Sequence, residues 1–245
     1  MQRQMVFKPS SDLGFPEDYG LTDTTIIPVT TSDKIKIEGW ILSSGVPKAP
    51  LIIFFHGNLG HLGKSIFKAK QLLNQGFDVF MASYRGYGRN PGSPSEKGLT
   101  RDADAWMKWI TALTSLEERP LIIYGESLGS GLAVKMAAKY PAKALVLHTP
   151  YSSLADIAKH RYPIFPVDLL MKDPFYVMDD IEKVSFPVFM IHGDADEIIP
   201  IDISKKLYQN AGEPKEYLEI RGGRHNDLYD YNIAVKIKEF IYKHL

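Results

Sequence analysis

A serine set between two glycines, Gly125-Glu126-Ser127-Leu128-Gly129, is the arrangement in this chain best suited to covalent chemistry. The G-x-S-x-G spacing fits a tight strand-to-helix turn, where glycines two positions either side let strand and helix approach without Cβ clashes. Such a turn presents the Ser127 hydroxyl at a helix N-terminus, where free amides stabilise negative charge. The flanks agree with this. An apolar run, Leu121–Tyr124, leads in, and an Ala- and Leu-rich stretch leads out to Pro141. The plainer reading is a glycine-rich turn whose serine only caps the helix. Ser130 falls inside the helix and is expected to pack.

A serine hydroxyl is almost un-ionised at neutral pH and needs a base beside it to attack a carbonyl. Of seven histidines, His225 stands in the glycine-flanked loop Gly222-Gly223-Arg224-His225-Asn226-Asp227, after the expected strand Lys215–Ile220 and before the last helix. A loop there can swing an imidazole over the turn at Ser127. His56 and His192 end strands directly before glycine and are expected to shape loops. His148 ends another strand and is a candidate pocket residue. The acid that orients His225 should lie between the serine and the histidine in chain order. Asp196, in His192-Gly193-Asp194-Ala195-Asp196-Glu197, is the best placed; Asp194 is the alternative, or else fixes the turn through its own backbone. Two backbone amides should meet the negative charge of a tetrahedral intermediate. One is that of Leu128, directly after the nucleophile, and the other is that of Asn58, with Leu59 second, in the loop His56-Gly57-Asn58-Leu59-Gly60.

The elements that must hold these residues are short apolar runs alternating with helical stretches. Leu51–Phe55, Phe77–Tyr84, Leu121–Tyr124, Ala144–His148 and Pro187–Ile191 mostly lack period-two alternation, as strands covered on both faces do. Helices are expected over Lys64–Asn74, Leu99–Leu113, Leu128–Lys139, Ile203–Asn210 and Tyr229–Lys243. Near the start, Thr24–Thr30 and Lys34–Leu42 read as an antiparallel hairpin. In its second strand Ile35, Ile37 and Trp40 are expected to share a face opposite Lys36 and Glu38. With Lys215–Ile220 this makes an eight-stranded, mostly parallel, doubly wound α/β sheet. Its functional loops lie at the carboxyl ends of strands.

The whole chain narrows the classes. Its 245 residues fit one α/β domain spanning 1–245, and 29 basic against 29 acidic residues give no pull toward nucleic acid. Without cysteine there is no disulfide, thiolate metal site or cysteine nucleophile. No metal or other cofactor is expected. The longest apolar runs are strand-sized, so no transmembrane segment is expected and the location is read as cytoplasmic. An N-terminal anchor lost from the sequence would change that to membrane association.

Taken in order, His56-Gly57-Asn58, the stretch from Ser83 to Leu99 (SYRGYGRNPGSPSEKGL), Gly125–Gly131, His192–Pro200 and Gly222–Leu228 resemble the Bem46-like branch of the α/β-hydrolases. That branch is similar to depalmitoylase-related hydrolases of eukaryotes. The resemblance runs from about Ile37 to the C-terminus. It implies an α/β-hydrolase fold, a Ser127–Asp196–His225 triad and an oxyanion hole at Asn58 and Leu128. Arg224 departs from the small or neutral residues common there, and the Arg85–Ser93 loop is read as structural, with Arg85 ion-paired.

The segment at about 151–182 mixes Tyr151, Tyr162, Ile164, Phe165, Leu169, Leu170 and Phe175 with three prolines, and is read as a small lid over the site. Leu59 and Tyr151 are candidate substrate contacts. An apolar lid would favour an acyl chain, so the expected substrate is a small-molecule or acylated carboxylic ester or thioester. The alternative is that these residues cover the edge of the sheet. Two other functions compete. His56, Asn58, His192, Asp194 and Asp196 could serve a metal-dependent phosphoesterase, and a silent binding protein could retain the fold.

Overall fold

The computed structural model describes residues 2–10, 14–21, 24–113 and 118–245. The apolar runs become the strands β1 (Thr25–Thr30), β2 (Lys36–Leu42), β3 (Leu51–Phe55), β4 (Asp78–Ala82), β5 (Leu121–Glu126), β6 (Ala144–His148), β7 (Val188–Gly193) and β8 (Lys215–Ile220). They form one sheet in the order β8-β7-β6-β5-β3-β4-β2-β1. From β8 to β4 every pairing is parallel; β2 pairs antiparallel with both β4 and β1.

Alternate residues of each central strand enter two separate cores. Ile53, Phe55, Ile123, Leu145 and Leu147 face one layer, with helices α2 (Glu96–Leu113) and α3 (Leu128–Ala137). Ile52, Phe54, Ile122, Tyr124 and Val146 face the other, with α1 (Ile66–Asn74) and α5 (Ile233–His244). Because both faces are covered, both parities must be apolar, and the strands read as continuous runs. Helix α4 (Ile201–Asn210) adds Leu207 to the first layer.

Strand β2 differs from the sequence reading. Ile37 packs in the first layer, while Trp40 and Leu42 pack in the second. Residues 37 and 40 have opposite parity along a strand and point to opposite faces, so β2 has no fully wet side.

The chain reverses across the sheet at β3, which lies between β4 and β5. Loops leaving the carboxyl ends of β3 and β5 therefore diverge around a crevice, the usual ligand position in open α/β sheets. Between β6 and β7 the chain forms short helices, Leu154–Arg161, Val167–Leu170 and Met178–Ile181. A helix at Gln2–Val6 leads into a two-residue parallel pairing, Lys8 with Leu59 and Pro9 with Gly60. Among the described residues no helix is long and apolar enough to cross a membrane.

Candidate active site

Ser127 sits where β5 turns into α3, with φ +50° and ψ −119°. A side chain at positive φ is strained by about 1–3 kcal/mol and persists only where its surroundings hold it. They do here. Ser127 N donates to His148 O at 2.9 Å, and Ser127 O accepts from Ser130 N at 2.9 Å and Ser130 Oγ at 2.6 Å. The two glycines are steric requirements. A Cβ on Gly125 would lie 2.5 Å from the Ala133 Cβ, and one on Gly129 would lie 2.1 Å from Phe55 O.

His225 reaches this turn from the loop after β8. Its Nε2 is 3.0 Å from Ser127 Oγ and its Nδ1 is 2.7 Å from Asp196 Oδ2. Ser127 is half-buried, His225 is buried, and the Asp196 side chain has no solvent exposure. Burial raises the affinity of Asp196 for a proton, but hydrogen bonds from His192 and His225 and the Ile199 amide outweigh it. The carboxyl is held well below the usual carboxylate range. Its Oδ1 accepts from Ile198 N at 2.8 Å and Ile199 N at 2.9 Å. The carboxylate therefore stays charged and fixed.

Two loops must meet for Asp196 and His225 to pair. Asp194 Oδ1 accepts from Gly222 N at 2.6 Å, and Ala195 N donates to Gly223 O at 3.0 Å. A Cβ on Gly193 would stand 2.0 Å from Gly223 O, so the glycine permits the approach. Asp194 thus joins the two loops and leaves His225 to Asp196.

The loop after β3 carries Asn58 and Leu59. His56 Nδ1 donates to Gly57 O at 2.8 Å. Asn58 O accepts from Tyr87 OH and from Lys8 N, each at 3.1 Å, and Tyr84 OH donates to His56 O at 3.0 Å. Leu59 is exposed, whereas Tyr151 is fully buried and its hydroxyl donates to Leu128 O at 3.1 Å. His148 is also fully buried, against the rings of Tyr124 and Tyr229, and faces no opening.

Several contributors carry little sequence signal. Tyr84 and Tyr87 support the β3 loop from a segment read as structural. Arg85 anchors that segment by pairing with Asp102 and Asp33, as expected of an ion-paired arginine. His192 lies 3.1 Å from Asp196 Oδ2, and its place four residues before the acid at a strand end was the available hint. Glu126, the residue before the serine, is buried in an ion pair with Lys68 of α1, a pairing across 58 positions with no local pattern.

Residues 50–173 match the α/β hydrolase fold family, and the chain belongs to it. An uncharacterised protein of Mycobacterium tuberculosis is 35% identical over 228 residues, 92% of this chain and 81% of that protein. Alpha/beta hydrolase domain-containing protein 17B of Xenopus laevis is 35% identical over 202 residues, 79% of this chain and 67% of that protein. The esterase Pf2001 of Pyrococcus furiosus has the same fold, with a TM-score of 0.76 at 17% identity and 98% coverage of both chains.

Proposed function

We propose that this chain is a serine hydrolase that cleaves carboxylic esters or thioesters through an acyl-enzyme. The observation that carries the reading is His225, held between Ser127 Oγ at 3.0 Å and Asp196 Oδ2 at 2.7 Å. Asp196 fixes the tautomer with the proton on Nδ1, which leaves Nε2 to accept the serine proton. As Ser127 Oγ attacks the carbonyl carbon, that proton passes to His225, and the imidazolium is stabilised by the charged Asp196. His225 then protonates the departing alcohol or thiol. Water attacks the acyl-enzyme by the same route and frees Ser127 and the carboxylic acid.

The amides of Leu128 and Asn58 are assigned to the oxyanion that forms twice in this cycle, each such donor commonly lowering the barrier by about 3–4 kcal/mol. Residues 151–182 are assigned as a lid within a single domain of 1–245. Tyr162, Ile164, Phe165, Leu169 and Leu170 are exposed on it, an apolar surface suited to an acyl chain. The names of similar proteins, an esterase and a lysophosphatidylserine lipase of Xenopus tropicalis, support acyl substrates. The ordered motifs support placement in the Bem46-like branch.

The phosphoesterase reading has less behind it. Among the described residues no three His, Asp or Glu are grouped to hold a metal ion, and Asp194 and His56 are engaged in separate loops. Initial rates on p-nitrophenyl esters of increasing acyl length and on an acyl thioester test the proposal. The expected result is hydrolysis that Ser127→Ala lowers by roughly 10⁴-fold or more. Unchanged rates in that variant would exclude Ser127 as nucleophile, and indifference to acyl length would remove the lid assignment.

A further inference from the structure

Residues 2–10 contain none of the proposed catalytic groups, yet they touch the β3 loop and the 151–182 segment at once. At one end Val6 O accepts from Asn58 Nδ2 at 3.0 Å, Lys8 N donates to Asn58 O at 3.1 Å, and Ser10 N donates to Gly60 O at 3.0 Å. At the other, Gln2 Nε2 donates to Leu170 O at 3.0 Å while its Oε1 accepts from Lys172 N at 2.9 Å. Arg3 Nε donates to Asp173 Oδ2 at 2.7 Å. Asp173 is buried, and its Oδ1 also accepts from Glu96 N at 2.8 Å, which ties the junction to the start of α2. Between these ends, buried Phe7 meets Phe175 edge-on at 6.3 Å.

This arrangement matters because of what Asn58 must do. A backbone amide is useful to an oxyanion only when its nitrogen sits about 2.7–3.1 Å from the charge at the moment of reaction. The 56–60 loop has little regular structure of its own. Asn58 is instead held from outside, through its side-chain amide to Val6 O and through its carbonyl to Lys8 N and Tyr87 OH. These bonds hold the Cα frame of Asn58, and its N–H shares a planar peptide with Gly57 O, which accepts from His56 Nδ1 at 2.8 Å, so the amide is fixed from both sides.

We infer that residues 2–10 form a strap that positions the Asn58 amide for the oxyanion, with the Asn58 side chain and the Arg3–Asp173 pair as positioning groups; this rests on the hydrolase reading. The strap acts on the transition state and not on ground-state binding, so its loss should lower kcat and leave KM nearly unchanged. It also couples the segment assigned as the lid to the oxyanion loop, since one continuous stretch is bonded to both.

The test compares wild type with Asn58→Ala, Arg3→Gln and Arg3→Lys, on a p-nitrophenyl ester. Rates are expressed per active serine, counted by fluorophosphonate titration, and folding is checked by thermal melting. Arg3 is half exposed, so its substitution leaves the core intact. The expected results are a fall in kcat of about 10–100-fold for Asn58→Ala and about 3–10-fold for Arg3→Gln, with KM within about twofold. Arg3→Lys should recover most of the loss. Unchanged kcat per active serine in Asn58→Ala and Arg3→Gln, or a rise in KM alone, would overturn the strap. Wild type that takes no fluorophosphonate would instead overturn the hydrolase reading, and the strap with it.

Discussion

Gly129→Ala tests the close approach on which the Ser127 turn depends. A Cβ there would stand 2.1 Å from the Phe55 carbonyl oxygen, 2.5 Å from the Phe55 carbonyl carbon and 2.7 Å from the His56 carbonyl oxygen. All three are backbone atoms, so no side-chain rotation relieves the overlap. Restoring ordinary contact requires α3 and the end of β3 to separate by about 1 Å, because a close-packed interior has no slack to absorb it. Phe55 and His56 lead directly into the loop of Asn58, so the movement shifts that loop away from Ser127. A displacement of about 1 Å at a reacting centre costs on the order of 10²-fold in rate, and overpacking of this kind costs about 1–3 kcal/mol of stability. The assay is kcat on a p-nitrophenyl ester per titrated serine, with urea unfolding alongside. Gly57→Ala is the control. Its added Cβ would lie 3.6 Å from the Ser127 Cβ and 3.7 Å from Glu126 Oε1, ordinary contacts that leave the rate within about threefold. A Gly129→Ala variant with wild-type kcat and stability would refute the argument.

Asp196→Asn should lower kcat by about 10³–10⁴-fold, because it removes the charge that fixes the His225 tautomer, and should lower the melting temperature as well, because the folded state favours the charged carboxylate. Tyr87→Phe deletes the hydroxyl that donates to Asn58 O, and should cost about 1 kcal/mol in urea unfolding and roughly threefold in kcat. Stability should fall with acid. Burial lowers the His56 imidazole from 6.5 to about 4, so below pH 6.5 the unfolded chain takes the proton first and folding weakens until about pH 4. That change in His56 alone is worth about 3 kcal/mol; His148, also lowered by burial, acts in the same direction, and Asp196 adds to the loss only at more acid pH, below the ordinary carboxylate range. Urea unfolding from pH 7 to pH 4 measures it, and a flat profile would contradict the burial of neutral His56.

The strands and the three side chains that meet at Ser127 were readable for connected reasons. A strand covered on both faces must be apolar at both parities, so Leu51–Phe55 and Leu121–Tyr124 stand out as unbroken runs. Ser127 and Asp196 each follow such a run, whereas His225 follows the half-buried, charge-bearing strand Lys215–Ile220, and all three stand near glycines that the close approaches require. What could not be read depends on contacts distant in sequence. Residues 2–10 have no periodicity, and their conformation comes from Asn58, Leu170 and Asp173. The ion pair of Lys68 and Glu126 spans 58 positions and leaves no local mark. Tyr84 and Tyr87 look like turn residues until the loop they support is in place. Trp40 was misassigned because its neighbourhood is apolar at both parities, which hides the face each side chain takes.

Intact-protein mass after exposure to a fluorophosphonate is the most direct measurement of an activated Ser127. The account predicts a single adduct on wild type, mapped to Ser127, none on Ser127→Ala, and strongly slowed labelling of a folded His225→Gln variant. A folded wild type that takes no adduct, or an adduct that persists on Ser127→Ala, would contradict it.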